Sequence, residues 1–233
     1  MNMDAVGKNI LAIITARGGS KRLPRKNLLP LRGKPLILHT IEAAKKTPAI
    51  RRCIVSTEDA EIKEISLRSG AEVIDRPMIL ANDNSLSSDT VRHVLELLRI
   101  RGEMPEYFVL LQPTSPLRTA VHLTLCIEQY LKSGAACAIS VVEVEHHPYK
   151  CFTLDGKFLS PFADEKSLEI PRQALPRVYR QNGAIYIMPA ELFLKKGCFY
   201  ASPAMPFIME TKDSIDIDTL LDFRLAKIIV EKE

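Results

Sequence analysis

The chain of 233 residues carries 46% apolar residues, 26% charged residues and a net charge of +4, which suits one globular domain, or one domain with a small excursion. That balance is too mild for a dedicated nucleic-acid binder, and no uncharged apolar run approaches the ~20 residues of a membrane span. Five cysteines without a C-x-x-C pair argue against a disulfide framework and a cysteine zinc site and point to a reducing cytoplasm, and the first nine residues lack the apolar core and small-residue cleavage site expected of a secretory signal.

In chain order, strand Ile10–Thr15 is followed by a basic loop and helix Leu36–Lys46. Strand Cys53–Ser56, helix Ala60–Ser69, strand Glu72–Ile74 and helix Asp89–Ile100 come next, with Gly70 as a helix stop and Ser88 placed as a helix cap. Val91, Val94, Leu95 and Leu98 recur at helical spacing and give that helix one apolar face. Strand Tyr107–Leu111, helix Ala120–Lys132 stopped by Gly134, and strand Ala136–Val142 continue the alternation. Such a rhythm implies right-handed crossovers and a three-layer α/β fold with a mostly parallel twisted sheet.

The rhythm breaks over residues 143–177, a proline-rich stretch with Asp155-Gly156 as a hairpin signal between CFTL and KFL. Such a length is too great for an idle connection, so it reads as an inserted β-rich arm. The main domain is then 1–142 plus 178–233 and resumes with strand Gly183–Met188, helix Ala190–Lys196, strand Pro206–Glu210 and helix Thr219–Glu231.

Charge locates a site. Between Ala5 and Ile41 there are eight bases and no acid, so the segment is +8 and the other residues sum to −4. A field this concentrated suits a compact polyanion such as a nucleoside triphosphate, or else a solvated basic face. Within it, ARGGSKRLPRKN (Ala16 to Asn27) directly follows the first strand. Gly18 and Gly19 permit close backbone approach, so that amides can point at phosphate oxygens while Arg17, Lys21 and Lys26 neutralise charge. The string is neither a Walker P-loop nor G-x-G-x-x-G.

Further on, Gln112 ends the fourth strand before Pro-Thr-Ser-Pro, where Thr114 and Ser115 suit helix capping. Asp216 and Asp218 alternate with Ile215 and Ile217; in an extended segment such carboxylates share a face, roughly 6–7 Å apart at their backbones, and can hold Mg²⁺ together with phosphate oxygens. Asp218 could instead cap the last helix. The stretch 170–187 gathers Arg172, Gln173, Arg177, Tyr179, Asn182 and Tyr186, able to grip a carboxylate and read hydroxyl groups. His146 and His147 are adjacent, so on a strand they face opposite sides and do not make a zinc site.

ARGGSKRLPRKN, together with DRPMILANDN, LLQPTSPLRT, IPRQALPRVYRQNGAIYI and IDIDTLLDF in that order, resembles the CMP-sialic acid synthetases (acylneuraminate cytidylyltransferases). Thr15 departs from the proline usual before Ala-Arg in that family, and 3-deoxy-manno-octulosonate cytidylyltransferases are more distant kin. The resemblance implies a GT-A-like nucleotidyltransferase that joins CTP to a nonulosonic α-keto acid sugar, with Mg²⁺ required. It implies nucleotide contacts from Ala16, Arg17, Gly18, Gly19, Ser20, Lys21, Lys26, Asn27, Arg76 and Ser87. Sugar contacts fall to Gln112, Lys150, Arg172, Gln173, Asn182 and Tyr186, and metal contacts to Asp216 and Asp218. Arg17, Lys21, Gln112 and Asp216 are the implied catalytic set, and the arm is implied to build a homodimer and wall the partner's sugar pocket. Another sugar-acid nucleotidyltransferase, or a non-catalytic sugar-nucleotide-binding protein, stays open as an alternative.

Overall fold

The computed structural model describes residues 7–231. In chain order the elements are β1 (Ile10–Thr15), β2 (Pro30–Leu31), β3 (Lys34–Pro35), α1 (Leu36–Lys45), β4 (Ile50–Thr57), α2 (Ala60–Arg68), β5 (Glu72–Asp75), α3 (Ser87–Ile100), β6 (Tyr107–Leu111) and α4 (Ala120–Ser133). Then follow β7 (Cys137–Glu143), β8 (Phe152–Asp155), β9 (Phe158–Pro161), α5 (Glu165–Glu169), β10 (Tyr179–Pro189), α6 (Ala190–Lys196), β11 (Ala204–Ile208) and α7 (Leu220–Glu231).

The central sheet has the order β11-β7-β10-β6-β1-β4-β5, and β10 alone runs antiparallel to its neighbours. Alternation along β1 divides the core. Ile10, Ala12 and Ile14 face a layer with Ile37, Ile41, Leu123 and Ile127 from α1 and α4, whereas Leu11 and Ile13 face Val91, Val94, Leu95 and Phe193 from α3 and α6. The apolar face expected of α3 therefore buries as its spacing dictates. Its start differs: Leu86 precedes the first turn and Ser88 lies inside the helix, so Ser88 is not the cap. Thr119, rather than Thr114 or Ser115, caps α4 through a reciprocal bond with His122.

A third, smaller core matters most for the site. Leu23 of the basic loop, Leu31, Leu117 and Ile217 pack with Phe223, Ala226 and Val230 of α7. Chain segments nearly two hundred residues apart are thereby clamped beside the carboxyl ends of the strands. Because β1 pairs with β4 on one side and β6 on the other, the loop after β1 opens at the point where strand order reverses, which is where open α/β sheets bind ligands.

Residues 144–178 leave the sheet after β7 and return as β10, which pairs with β7. Within them β8 and β9 form a separate hairpin with Asp155 opposite Phe158 and Gly156 at φ 61°. His147 secures its base: Nδ1 accepts from the Tyr149 amide at 3.1 Å, so Nε2 is the donor to Pro176 O at 2.9 Å.

Candidate active site

The loop after β1 is built by specific obligations. Ala16 is buried in the core and its amide donates to Ser56 O at 3.1 Å, so it extends β1 and adds no surface to the cleft, contrary to its expected nucleotide contact. A Cβ on Gly18 would stand 2.3 Å from Asp59 Oδ2, whereas one on Gly19 would meet nothing. The Gly18 amide is not free for phosphate; it donates to Glu58 Oε1 at 2.7 Å. Arg25 takes the left-handed conformation at φ 55°, costly for a side chain with a Cβ, and its guanidinium is held by Asp59 and by Glu61. That turn delivers Asn27, whose Nδ2 donates to Arg17 O at 2.9 Å, and Lys26, whose Nζ reaches Asp218 Oδ1 at 2.8 Å.

The cleft so formed encloses about 350 Å³ and is lined by Arg17, Ser20, Lys26, Asn27, Arg76, Ser87, Gln112, Asp216 and Asp218 among others. Lys21 stands at its outer mouth beside Arg22 and Asp83. Arg76 is buried at the inner wall, where Nη2 donates to Ser56 O at 2.7 Å and Nε lies 4.0 Å from Glu58 Oε2. Burial draws its pKa downward.

The acidic segment meets the expected alternation. Ile217 is fully buried in the third core and its amide donates to Thr114 O at 2.8 Å, so Asp216 and Asp218 turn to the cleft. Asp218 is not the cap of α7. Its amide and that of Thr219 donate to Asp222 Oδ2, while Thr219 Oγ1 accepts from the Asp222 amide, which leaves the Asp218 carboxylate for Lys26. Asp216 is mostly buried, its pKa is raised chiefly by that burial, and its Oδ1 has no hydrogen-bond partner. A buried carboxylate oxygen left unpaired is a costly arrangement unless a cation or donor meets it. Among the described residues no group of three or more His, Cys, Asp and Glu side chains could hold a metal. A cation held between Asp216 and Asp218 would need its other ligands from phosphate oxygens and water.

Two residues that sequence reasoning passed over support Gln112. Gly183 has φ 75°, and a Cβ there would fall 2.6 Å from Gln112 Oε1 and 3.5 Å from Asp216 Oδ2. Only glycine lets β10 run so close to both groups. Arg118 is 2% exposed, and its Nη1 donates to Ala184 O at 2.9 Å and Gln112 O at 3.3 Å. Its enclosure pushes the guanidinium down to about 9. The signal for Gly183 was its place between Asn182 and Ala184 in a strand, where an isolated glycine marks close approach.

The expected sugar-binding residues do not assemble with the others within one chain. Asn182 is 1% exposed; its Nδ2 donates to Ser214 Oγ at 2.9 Å and its Oδ1 accepts from Ser140 Oγ at 2.6 Å, so it braces β10 instead of facing a ligand. The Tyr186 hydroxyl is buried, pushed up to about 12, and donates to Gln181 Oε1 at 3.1 Å. Lys150 Nζ donates to Leu168 O, and Arg172 Nη2 donates to Val144 O at 2.8 Å. Arg172 and Gln173 border a second depression with His147 and Arg177, separate from the main cleft. Of the six, Gln112 alone lines the cleft.

Comparison with known proteins bears on the family and the fold. A family model described as cytidylyltransferase matches residues 11–225. The chain is 36% identical over 231 residues to a CMP-N,N'-diacetyllegionaminic acid synthase of Legionella pneumophila, covering 95% of this chain and 96% of the relative. It is 37% identical over 217 residues to an N-acylneuraminate cytidylyltransferase of Streptococcus agalactiae, covering 91% of this chain and 51% of that relative's length. A solved CMP:2-keto-3-deoxy-manno-octonic acid synthetase complexed with CTP superposes with a TM-score of 0.71 at 16% identity, over 96% of this chain and 99% of the other, a likeness of fold.

Proposed function

The chain belongs to the cytidylyltransferase family, and from that premise we propose that it activates a nonulosonic acid with CTP, giving a CMP-sugar and pyrophosphate. The anomeric hydroxyl oxygen forms a bond to the α-phosphorus, and the bond from that phosphorus to the bridging oxygen of pyrophosphate breaks. The observation that carries this reading is the convergence of Arg17, Lys26, Gln112, Asp216 and Asp218 on one cleft.

In this reading Arg17, Lys21 and Lys26 face the β- and γ-phosphates and stabilise charge as it moves onto the leaving group. Arg76 and Ser87 border the base and ribose end. Gln112, an uncharged amide given room by Gly183 and held at its backbone carbonyl by Arg118, orients the sugar against the α-phosphate without adding repulsion. Asp216 and Asp218 would hold Mg²⁺, which supplies positive charge to the phosphate oxygens. The chain's own contribution is to keep those two carboxylates on one face through the burial of Ile217.

The sugar end extends this proposal to a homodimer. Phe152, Phe158, Leu159 and Phe162 are exposed on the arm, Phe158 at 79%, and they are too many apolar side chains to leave in water on a hairpin with no core. A second copy packed there brings Lys150, Arg172 and Gln173 toward the partner's cleft and supplies the contacts that one chain lacks. We place the protein in the cytoplasm on its unpaired cysteines; among the described residues no helix is long and apolar enough to cross a membrane.

Pyrophosphate release from CTP, measured with N-acetylneuraminic, diacetyllegionaminic, pseudaminic and 3-deoxy-manno-octulosonic acids, tests the proposal. Release with one of the nine-carbon acids supports it. Release only with the eight-carbon acid supports the alternative sugar-acid enzyme, and none with any acid leaves a binding protein.

A further inference from the structure

Asp83 lies between the helical turn Met78–Leu80 and α3, on the outer lip of the cleft. Its Oδ1 lies 3.1 Å from Arg17 Nη1 and its Oδ2 lies 2.5 Å from Lys21 Nζ. Arg17 Nη1 also donates to Asn82 O at 3.0 Å, so the lip holds the loop after β1 at two adjacent residues. Asp83 bridges, from outside the basic segment, the two cations read above as the grip on the pyrophosphate half of CTP. A carboxylate with both oxygens on an arginine and a lysine occupies ground that phosphoryl oxygens need for the same donors.

We propose that Asp83 is a placeholder anion that competes with triphosphate and pyrophosphate for Arg17 and Lys21, and so promotes release of pyrophosphate after the bond to the α-phosphorus has broken. This rests on the reading of Arg17 and Lys21 as phosphate-binding groups. An interaction made in the ligand-free cleft and lost on binding stabilises only the free state, and lowers affinity for whatever displaces it. Both pairs are solvent-exposed, so each is weak. Pyrophosphate must nevertheless break both at once, and it also meets the negative charge of Asp83 at short range. CTP retains its base, ribose and α-phosphate contacts as compensation, whereas pyrophosphate has none of them. The same loss of affinity thus leaves CTP able to bind through those contacts and pyrophosphate free to leave.

The test is calorimetric titration of inorganic pyrophosphate, without divalent metal and at low salt, into the wild-type protein, Asp83→Asn and Asp83→Ser, with folding of each variant checked by circular dichroism. Both variants are expected to bind pyrophosphate about three- to tenfold more tightly than wild type, with the gap narrowing as salt is raised. In turnover, pyrophosphate becomes a stronger product inhibitor by a similar factor. A merely structural role for Asp83 would instead loosen the loop and weaken binding. Equal or weaker pyrophosphate affinity in the folded variants overturns the proposal while leaving the assignment of Arg17 and Lys21 intact. Absence of pyrophosphate binding by all three proteins overturns that assignment, and the role of Asp83 with it.

Discussion

Gly18 and Gly19 stand side by side with different obligations. Because a Cβ on Gly18 would stand 2.3 Å from Asp59 Oδ2 and one on Gly19 would meet nothing, Gly18→Ala should displace Asp59 and the turn at Arg25. Turnover should fall at least tenfold, while Gly19→Ala stays within about twofold of wild type; steady-state kinetics on the two variants checks this. Asp216 makes a sharper case. Asp216→Asn should cut turnover by about a hundredfold or more, because it removes charge from the place where the proposed metal would meet the phosphates. The same change should raise the unfolding temperature at neutral pH. Burial raises the folded-state pKa of Asp216 above its unfolded value, so the folded protein binds the proton more tightly and stability is lost as pH rises through that window. Asparagine removes the burden, and thermal melts of both proteins at pH 7 and at pH 4 should show the gain at pH 7 and its loss at pH 4. At this scale the ionic groups were legible, since Arg17, Lys26, Asp216 and Asp218 announce themselves by charge and alternation. Asn182 and Tyr186 were misplaced because a polar side chain that braces a core and one that reads a ligand look alike in sequence. Arg118 was passed over because an arginine after a proline-rich turn gives no sign that its guanidinium will be enclosed.

Among the elements, α3 and β1 were readable from periodicity, since each buries a face that its own spacing defines. The segment 214–218 was readable too, but what holds it was not: Ile217 finds its place only because Leu23, Leu31, Leu117 and Phe223 arrive from distant segments. Boundaries shifted where caps compete, as at Thr219 and Asp222, which relieve Asp218 of the capping duty its position allowed. Strand β10 illustrates a different limit. Its pairing with β7 is interrupted between Gln181 and Tyr186, around Gly183, and an irregularity of that kind depends on partners that sequence does not name. The hairpin β8–β9 was signalled by Asp155-Gly156, and its exposed phenylalanines carry a prediction at this scale. Replacing Phe152 and Phe158 with Ser should convert a dimer to a monomer of about half the mass in light scattering across micromolar dilutions. A stable pair should bury at least ~1,000 Å², which such a lesion would break. A wild-type chain that is monomeric throughout the series, with full activity, would exclude any role for the arm as a dimer contact.

Across the whole molecule, the basic character of the first forty residues is met by acids brought in from other segments. Lys8 pairs with Glu106, Arg17 and Lys21 with Asp83, Arg25 with Asp59 and Glu61, and Lys26 with Asp218. The net charge of +4 therefore understates the organisation, which lines a switch-point cleft with cations and with two carboxylates, Asp218 paired to Lys26. Charge clustering and the strand–helix rhythm made that cleft foreseeable. The separation of Arg172 and Gln173 from it was not, because no periodicity in the arm fixes where it sits relative to the cleft. In the proposed reaction the sugar's own anomeric oxygen attacks the α-phosphorus of CTP. This is tested most directly by supplying the nonulosonic acid labelled with ¹⁸O at the anomeric hydroxyl and following the products by ³¹P NMR and mass spectrometry. Label is expected in the bridge between sugar and phosphate of the CMP-sugar, with unlabelled pyrophosphate released. Label lost to water from a CMP-sugar, or release of inorganic phosphate in place of pyrophosphate, would contradict it.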